Sequence, residues 1–262
     1  MGQEYRKTVN NVVNLHYWSA SKDEKKQNLG DYLSKVIVEY MLSRKGISLE
    51  QCVEKTKHLY AVGSILGMGW CNATVWGSGF IREENQVRML FGKYLRKLDI
   101  RAVRGPKTKD ELIRGVQCPE IYGDPVILLP YICNAKKVGK LRSYSFVRHH
   151  DDNTECANII NIVTTDYQKF VDDIVSSEKV ISSSLHGIII AEAYGIPAVL
   201  YLPERLKNQL FKFQDYYFGT GRYFFPVASS LEEALSICPI APPDFSEQRE
   251  QLINAFPYDL WD

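Results

Sequence analysis

The chain has 262 residues, 45% of them apolar and 24% charged, with a formal net charge of +1. That balance excludes a disordered or low-complexity chain and supplies no basic field for nucleic acid or anionic lipid. Cys52, Cys71, Cys118, Cys133, Cys156 and Cys238 show no Cys-x-x-Cys spacing, so they read as free thiols of a reducing compartment, not as zinc ligands or a disulfide framework.

The N-terminus is polar (Gln3, Glu4, Arg6, Lys7), and no apolar run reaches the length of a membrane span or signal-peptide core, which predicts a cytoplasmic protein. Residues 11–18 read as a first strand, followed by a polar loop running to Asn28-Leu-Gly-Asp31. Leu33, Val36, Ile37, Tyr40 and Met41 then recur at helical spacing, with Asp31 as cap and Gly46 as stop. Residues 58–64 and 74–80 are short apolar strands that each run into a glycine and serine turn. Residues 86–98 read as mixed helix and loop, and residues 99–104 as a strand. Thr108 and Glu111 form a capping box for the helix that follows, closed by Gly115. Residues 121–130 end this half with a turn and an apolar segment, and residues 134–140 read as a linker.

The second half repeats the alternation. Strands are expected over residues 141–147, 159–163, 179–181 and 198–202, and helices over 168–176 and 185–194. Residues 212–218 and 222–225 form the densest aromatic region, and residues 244–261 a terminal helix and tail that packs back across the first domain. Two successive sets of strand, turn and helix predict an α/β fold. Two Rossmann-like domains, 1–135 and 136–262, each with a parallel sheet, would face a cleft.

The segment from Val180 to Leu200 concentrates the chemistry. Serines supply an N-cap, Gly195 and Pro197 a stop, and the helix between is apolar on nearly all sides, which predicts burial against a sheet. At its N-terminus the free backbone N–H groups, the hydroxyls of Ser183 and Ser184, and His186 converge where a small anion can bind and a proton can be exchanged. Other unusual polar residues also fall just after predicted strands: Gly30 and Asp31, Gly63 and Ser64, Arg104, Asp124 and His149. In open parallel sheets that is the ligand-binding rim. His149, His150, Asp151 and Asp152 read as a sugar-facing histidine or a solvated turn, and no metal site is expected, because neighbouring residues of an extended segment point apart.

The Ser183-Ser184-Leu185-His186-Gly187 run, opening an apolar helix that ends in Gly195-Ile196-Pro197, resembles the polysaccharide pyruvyl transferase family. Asn28-Leu-Gly-Asp31, Gly63-Ser-Ile-Leu66, Val75-Trp-Gly-Ser-Gly79, Arg101-Ala-Val-Arg104 with Thr108, and Gly123-Asp-Pro125 resemble family blocks in the same order. The resemblance implies a compact GT-B-like fold and a transferase that moves the pyruvyl group of phosphoenolpyruvate onto two hydroxyls of a sugar as a ketal. The product would belong to an exopolysaccharide or capsule, phosphoenolpyruvate being a co-substrate and no cofactor being needed.

By the same resemblance His186 is the acid. Arg104, with Ser183, Ser184, Gly187, Gly63, Ser64 and Arg148, surrounds the donor. Asp31 and His149 face the acceptor, a sugar or lipid-linked oligosaccharide that can lie at a membrane surface; Asp215 and Tyr216 join them as residues of the aromatic region, whose ring faces and phenol hydroxyls suit a sugar. The chain departs from the pattern twice: many longer members carry arginine at the position of Ser184, and proline is usual at that of Arg148. The alternative readings are a GT-B-type glycosyltransferase using a nucleotide sugar, which would bind nucleotide, and a non-catalytic carbohydrate-binding protein, indifferent to loss of His186.

Overall fold

The computed structural model describes residues 8–18, 27–68, 71–83, 96–112, 115–136 and 139–262. Strands β1 (Val13–His16), β2 (Lys57–Tyr60), β3 (Ala73–Trp76) and β4 (Leu98–Ala102) form one parallel sheet in that order. Strands β5 (Arg142–Arg148), β6 (Ile159–Asn161), β7 (Ser177–Ser182), β8 (Ala198–Tyr201) and β9 (Val227–Ala228) form a second, ordered β6-β5-β7-β8-β9 and also parallel. Every residue of β3 and of β8 is buried, as expected of parallel strands covered on both faces. The chain is therefore an α/β protein with two parallel sheets.

The described helices are α1 (Leu29–Ser43), α2 (Pro106–Glu111), α3 (Tyr167–Val175), α4 (Leu185–Ala193), α5 (Leu210–Gly219), α6 (Leu231–Ser236) and α7 (Ser246–Asn254). Helix α1 buries Leu33, Ile37 and Met41 along one stripe, but its cap is Asn28, not Asp31. The Asn28 side chain accepts from the Gly30 amide at 3.1 Å, which starts the helix earlier and leaves Asp31 in its first turn. Helix α2 begins after Gly105 because Pro106, with its preset φ, occupies the first turn. Thr108 consequently lies inside the helix and is not the cap of a capping box. The helix ends before Gly115. Helix α5 arises in the aromatic region and strand β9 just beyond it, where no regular element was expected. The polar residues 1–7, and almost all of the segment expected at 86–98, lie outside the described residues.

One apolar core runs through both sheets. It joins Leu33 and Ile37 of α1, Leu128 of the 3₁₀ segment Pro125–Tyr131, Ile188 and Ile190 of α4, and Trp261. That 3₁₀ segment packs against both α1 and α4. The C-terminal residues close over the first half: the Trp76 indole donates to the Leu252 carbonyl at 2.8 Å, and the Tyr258 hydroxyl to the Met41 carbonyl at 2.8 Å. No helix among the described residues is long and apolar enough to cross a membrane.

The order of the second sheet changes direction between β5 and β7, a topological switch point where the loops leaving two adjacent strands diverge and open a crevice. His149 follows β5, and Ser183 to His186 follow β7.

Candidate active site

The two switch-point loops are fastened to each other by the serines. Ser183 Oγ accepts from the His149 amide at 2.9 Å and donates to Asp152 Oδ2 at 2.6 Å. Ser182 Oγ accepts from the Ser184 amide at 3.0 Å and lies 2.9 Å from the Val147 carbonyl. None of the three hydroxyls caps α4: Ser184 holds the N-cap position without a side-chain cap bond. Ser182 and Ser183, expected among the caps, thus serve as loop staples, because their hydroxyls are taken up by groups at and just beyond the end of β5. The first-turn N–H groups of α4 are left without a side-chain cap, and Ser184 itself lines a cavity.

That cavity, about 210 Å³, lies among four groups of residues. Ser64 and Ile65 come from the loop after β2, and Asn28 and Asp31 from the start of α1. His149 to Asp151 and Ser184 to His186 come from the switch-point loops, and Gln209 and Lys212 from the start of α5.

His186 is fitted closely into this wall. A Cβ on Gly30 would stand 1.8 Å from His186 Nδ1, so a glycine is required where α1 approaches the ring. The other ring nitrogen, Nε2, is buried 3.7 Å from Asp124 Oδ2, and neither atom has a hydrogen-bond partner. Asp124 is wholly buried, and its Oδ1 accepts from the Val126 amide at 3.0 Å, capping the 3₁₀ segment.

Lys212 is the cation that lines the cavity. Its ammonium donates to Gln209 Oε1 at 2.5 Å, and burial, with a contribution from the nearby Arg104 charge, pulls its pKa down to about 7. Burial likewise pushes Asp31 up to about 6, against the opposing pull of His186 and Lys212. An acid and a base that both titrate near neutrality therefore line the cavity together with His186. His149 is held well below its ordinary value by burial and by the Lys212 charge, so it is a neutral ring.

The remaining candidates are distributed differently from expectation. Arg104 is buried behind the cavity wall, where Nε donates to Asp215 Oδ2 at 3.0 Å, and its other nitrogens donate to Ser64 Oγ and the Phe80 carbonyl, each at 2.5 Å. Asp215, fully buried, also accepts from the Thr108 amide at 2.8 Å and hydroxyl at 2.6 Å. The Arg104 fork is thus occupied by protein, and Asp215 faces it from α5 instead of facing the cavity.

Tyr216 is buried, its hydroxyl donating to Glu192 at 2.6 Å, and Arg148 pairs with Glu155 at 2.6 Å outside the cavity. Gly187 is turned toward Ser182 and Val147, and Gly63 packs beside the Asp31 carboxylate. His149, His150 and Asp151 bring possible ligand atoms within 4.8 Å of one another. His149 Nδ1 already accepts from the Asp151 amide at 3.1 Å, and Trp18 stacks on His150. Lys212 and Gln209 went unnoticed in the sequence. The signal that could have found Lys212 is a lysine amid the apolar and aromatic residues of α5.

The chain is 26% identical over 222 residues to an uncharacterised protein of Acanthamoeba polyphaga mimivirus, covering 78% of this chain and 73% of that protein. No solved structure matches it. The polysaccharide pyruvyl transferase family matches over residues 58–204. That span is more than half of the chain and contains Ser64, Asp124, His149 and the Ser184 to His186 turn; the chain belongs to the polysaccharide pyruvyl transferase family.

Proposed function

We propose that the protein transfers the pyruvyl group of phosphoenolpyruvate to two hydroxyls of a sugar residue, forming a cyclic ketal and releasing phosphate. The observation that carries this reading is the meeting of His186, Lys212 and Asp31 at the uncapped start of α4, around a cavity of about 210 Å³. A cavity of this size suits a three-carbon donor. Drug-sized ligands such as a nucleoside diphosphate occupy roughly 300–1,000 Å³. The two sheets, in this reading, are the lobes of a compact GT-B-like fold, with the donor at the switch point of the second.

Lys212 and the free amides of α4 supply the counter-charge for the donor's phosphate and carboxylate. In family members with arginine at the position of Ser184 that charge comes from the turn itself; here α5 delivers it from the other side of the cavity. His186 passes a proton to the methylene carbon, which turns the enol phosphate into an oxocarbenium-like centre. A sugar hydroxyl bonds to that centre and gives its proton back to His186. The second hydroxyl displaces phosphate, and its proton leaves on the phosphate oxygen. One C–H bond, two C–O bonds and one phosphate O–H bond form, while the C=C π bond, the C–O bond to phosphate and two hydroxyl O–H bonds break. Asp31 accepts a hydrogen bond from the acceptor hydroxyl.

The acceptor is a sugar of a surface polysaccharide or of its lipid-linked precursor. All six cysteines are free, which fits a reducing cytoplasm.

Calorimetry on the purified protein with phosphoenolpyruvate and, separately, uridine and guanosine diphosphates tests the donor. Saturable phosphoenolpyruvate binding that weakens in Lys212→Met supports the reading. Binding of either nucleotide without phosphoenolpyruvate binding overturns it in favour of a glycosyltransferase.

A further inference from the structure

We infer that Asp124 is the positioning residue of His186: it accepts a hydrogen bond from Nε2–H, fixes the ring, and leaves Nδ1 as the nitrogen that exchanges a proton in the cavity. The inference rests on the reading of His186 as the acid. Its geometric part stands apart from the identity of the substrate.

The two orphaned atoms carry the argument. A buried polar atom without a partner costs roughly 1–3 kcal/mol, and His186 Nε2 and Asp124 Oδ2 are two such atoms facing each other at 3.7 Å. The gap is too narrow for an intervening water and slightly too wide for a hydrogen bond, so each atom has the other as its available partner. Catalytic hydrogen bonds are commonly long before substrate fills a site and tighten afterwards. Asp124 cannot swing away, because its other oxygen is held by the Val126 amide at 3.0 Å and the residue is wholly buried at the entry to the 3₁₀ segment. Because Nε2 is sealed on this side, proton traffic with the cavity falls to Nδ1, the nitrogen lying beside Gly30 at the start of α1.

The arrangement gives each proton a place. Before transfer both nitrogens carry hydrogen, Nε2 toward Asp124 and Nδ1 toward the donor. After transfer the ring is neutral with its proton on Nε2, and Nδ1 is free to accept the proton of the attacking hydroxyl. Without the carboxylate, neither the doubly protonated ring nor the correct neutral tautomer is favoured.

Nitrogen-15 spectra of the full chain labelled at histidine, recorded near pH 8, where an ordinary imidazole is neutral (about 6.5), read the tautomer directly, with His186→Gln assigning the resonance. The wild-type ring is expected as the Nε2–H tautomer. Asp124→Asn keeps an oxygen for the Val126 amide and turns an N–H toward Nε2, so it should switch the ring to Nδ1–H. Its kcat should fall by roughly 10²–10⁴-fold, the usual contribution of acid–base catalysis, with phosphoenolpyruvate affinity changed by less than about threefold. If Asp124→Asn does not fold, Asp124→Ser, which retains a capping oxygen, should give mixed tautomers and a similar loss of kcat. An Nδ1–H ring in the wild type, or an unchanged tautomer in the folded variant, overturns the assignment of Asp124. Absence of phosphoenolpyruvate binding in the wild type overturns the donor, and the tautomer is read independently of it.

Discussion

Lys212 shows how a single buried side chain links pH to function. Its pKa of about 7 in the folded chain means that its charge, and with it anion binding, is present below that pH and lost above it. Asp31, near 6, adds to the trend, because its carboxylate repels an anion once ionised. Phosphoenolpyruvate affinity is therefore expected to fall as pH rises from about 6 to 8 at constant ionic strength, and Lys212→Arg, charged at every such pH, should flatten the upper part of that fall; calorimetry across the range checks both. Stability runs the other way. Between about 7 and 10.5 the unfolded chain holds a proton that the folded lysine has released, so this group's contribution to stability grows with pH over that window. Gly30 supplies a second test at this scale. Gly30→Ala places a methyl 1.8 Å from His186 Nδ1, and turnover should be lost while far-ultraviolet circular dichroism changes little.

Among the elements, α4 is the most dependent on fit. It is buried on nearly every side, so it has no wet face on which a misplaced atom can be accommodated. A Cβ on Gly187 would meet Ser182 Oγ at 2.4 Å and a Val147 methyl at 2.6 Å, which would push the helix away from β5 and β7 and lift its first turn out of the site. Gly187→Ala should cost about 1–3 kcal/mol, typical of overpacking, a drop in melting temperature of roughly 2–4 °C for each kcal/mol. Thermal unfolding by circular dichroism measures it. Helix α4 was also the element most legible in the sequence: serines before it, Gly195 and Pro197 after it, and an unbroken apolar run between. Helix α5 was not legible, because its aromatic residues face the core while Lys212 and Asp215 face two different polar partners, and no single period describes such a helix.

Across the whole molecule, the buried Arg104–Asp215 pair connects the end of β4 to α5, over a sequence separation of 111 residues. Asp215→Ala leaves an uncompensated guanidinium in a dry interior, a defect of about 3–5 kcal/mol. The double variant Arg104→Met, Asp215→Leu should recover much of that loss, since the penalty comes from the unpaired charge. Urea unfolding midpoints of the two variants decide the point. A single cooperative transition is expected in each, because one apolar core extends through both sheets and the C-terminal residues are tied to Trp76 and Met41.

The amino-acid sequence by itself determined the alternation of strands and helices, the family, and the placing of His186 at the first turn of a buried helix. Those features depend on residues within a few positions of one another: caps, stops and apolar periods are local. The tertiary structure alone decided which charges meet the cavity. Arg104 reads in sequence as a free fork at a strand end, yet Asp215, remote in the chain, occupies it. Lys212 reads as one residue of an aromatic patch, yet α5 turns it toward the cavity that His186 also lines. A side chain's solvation and partners are set by elements that pack against it from elsewhere in the chain, and burial is what turns an ordinary lysine or aspartate into a group that titrates near neutrality.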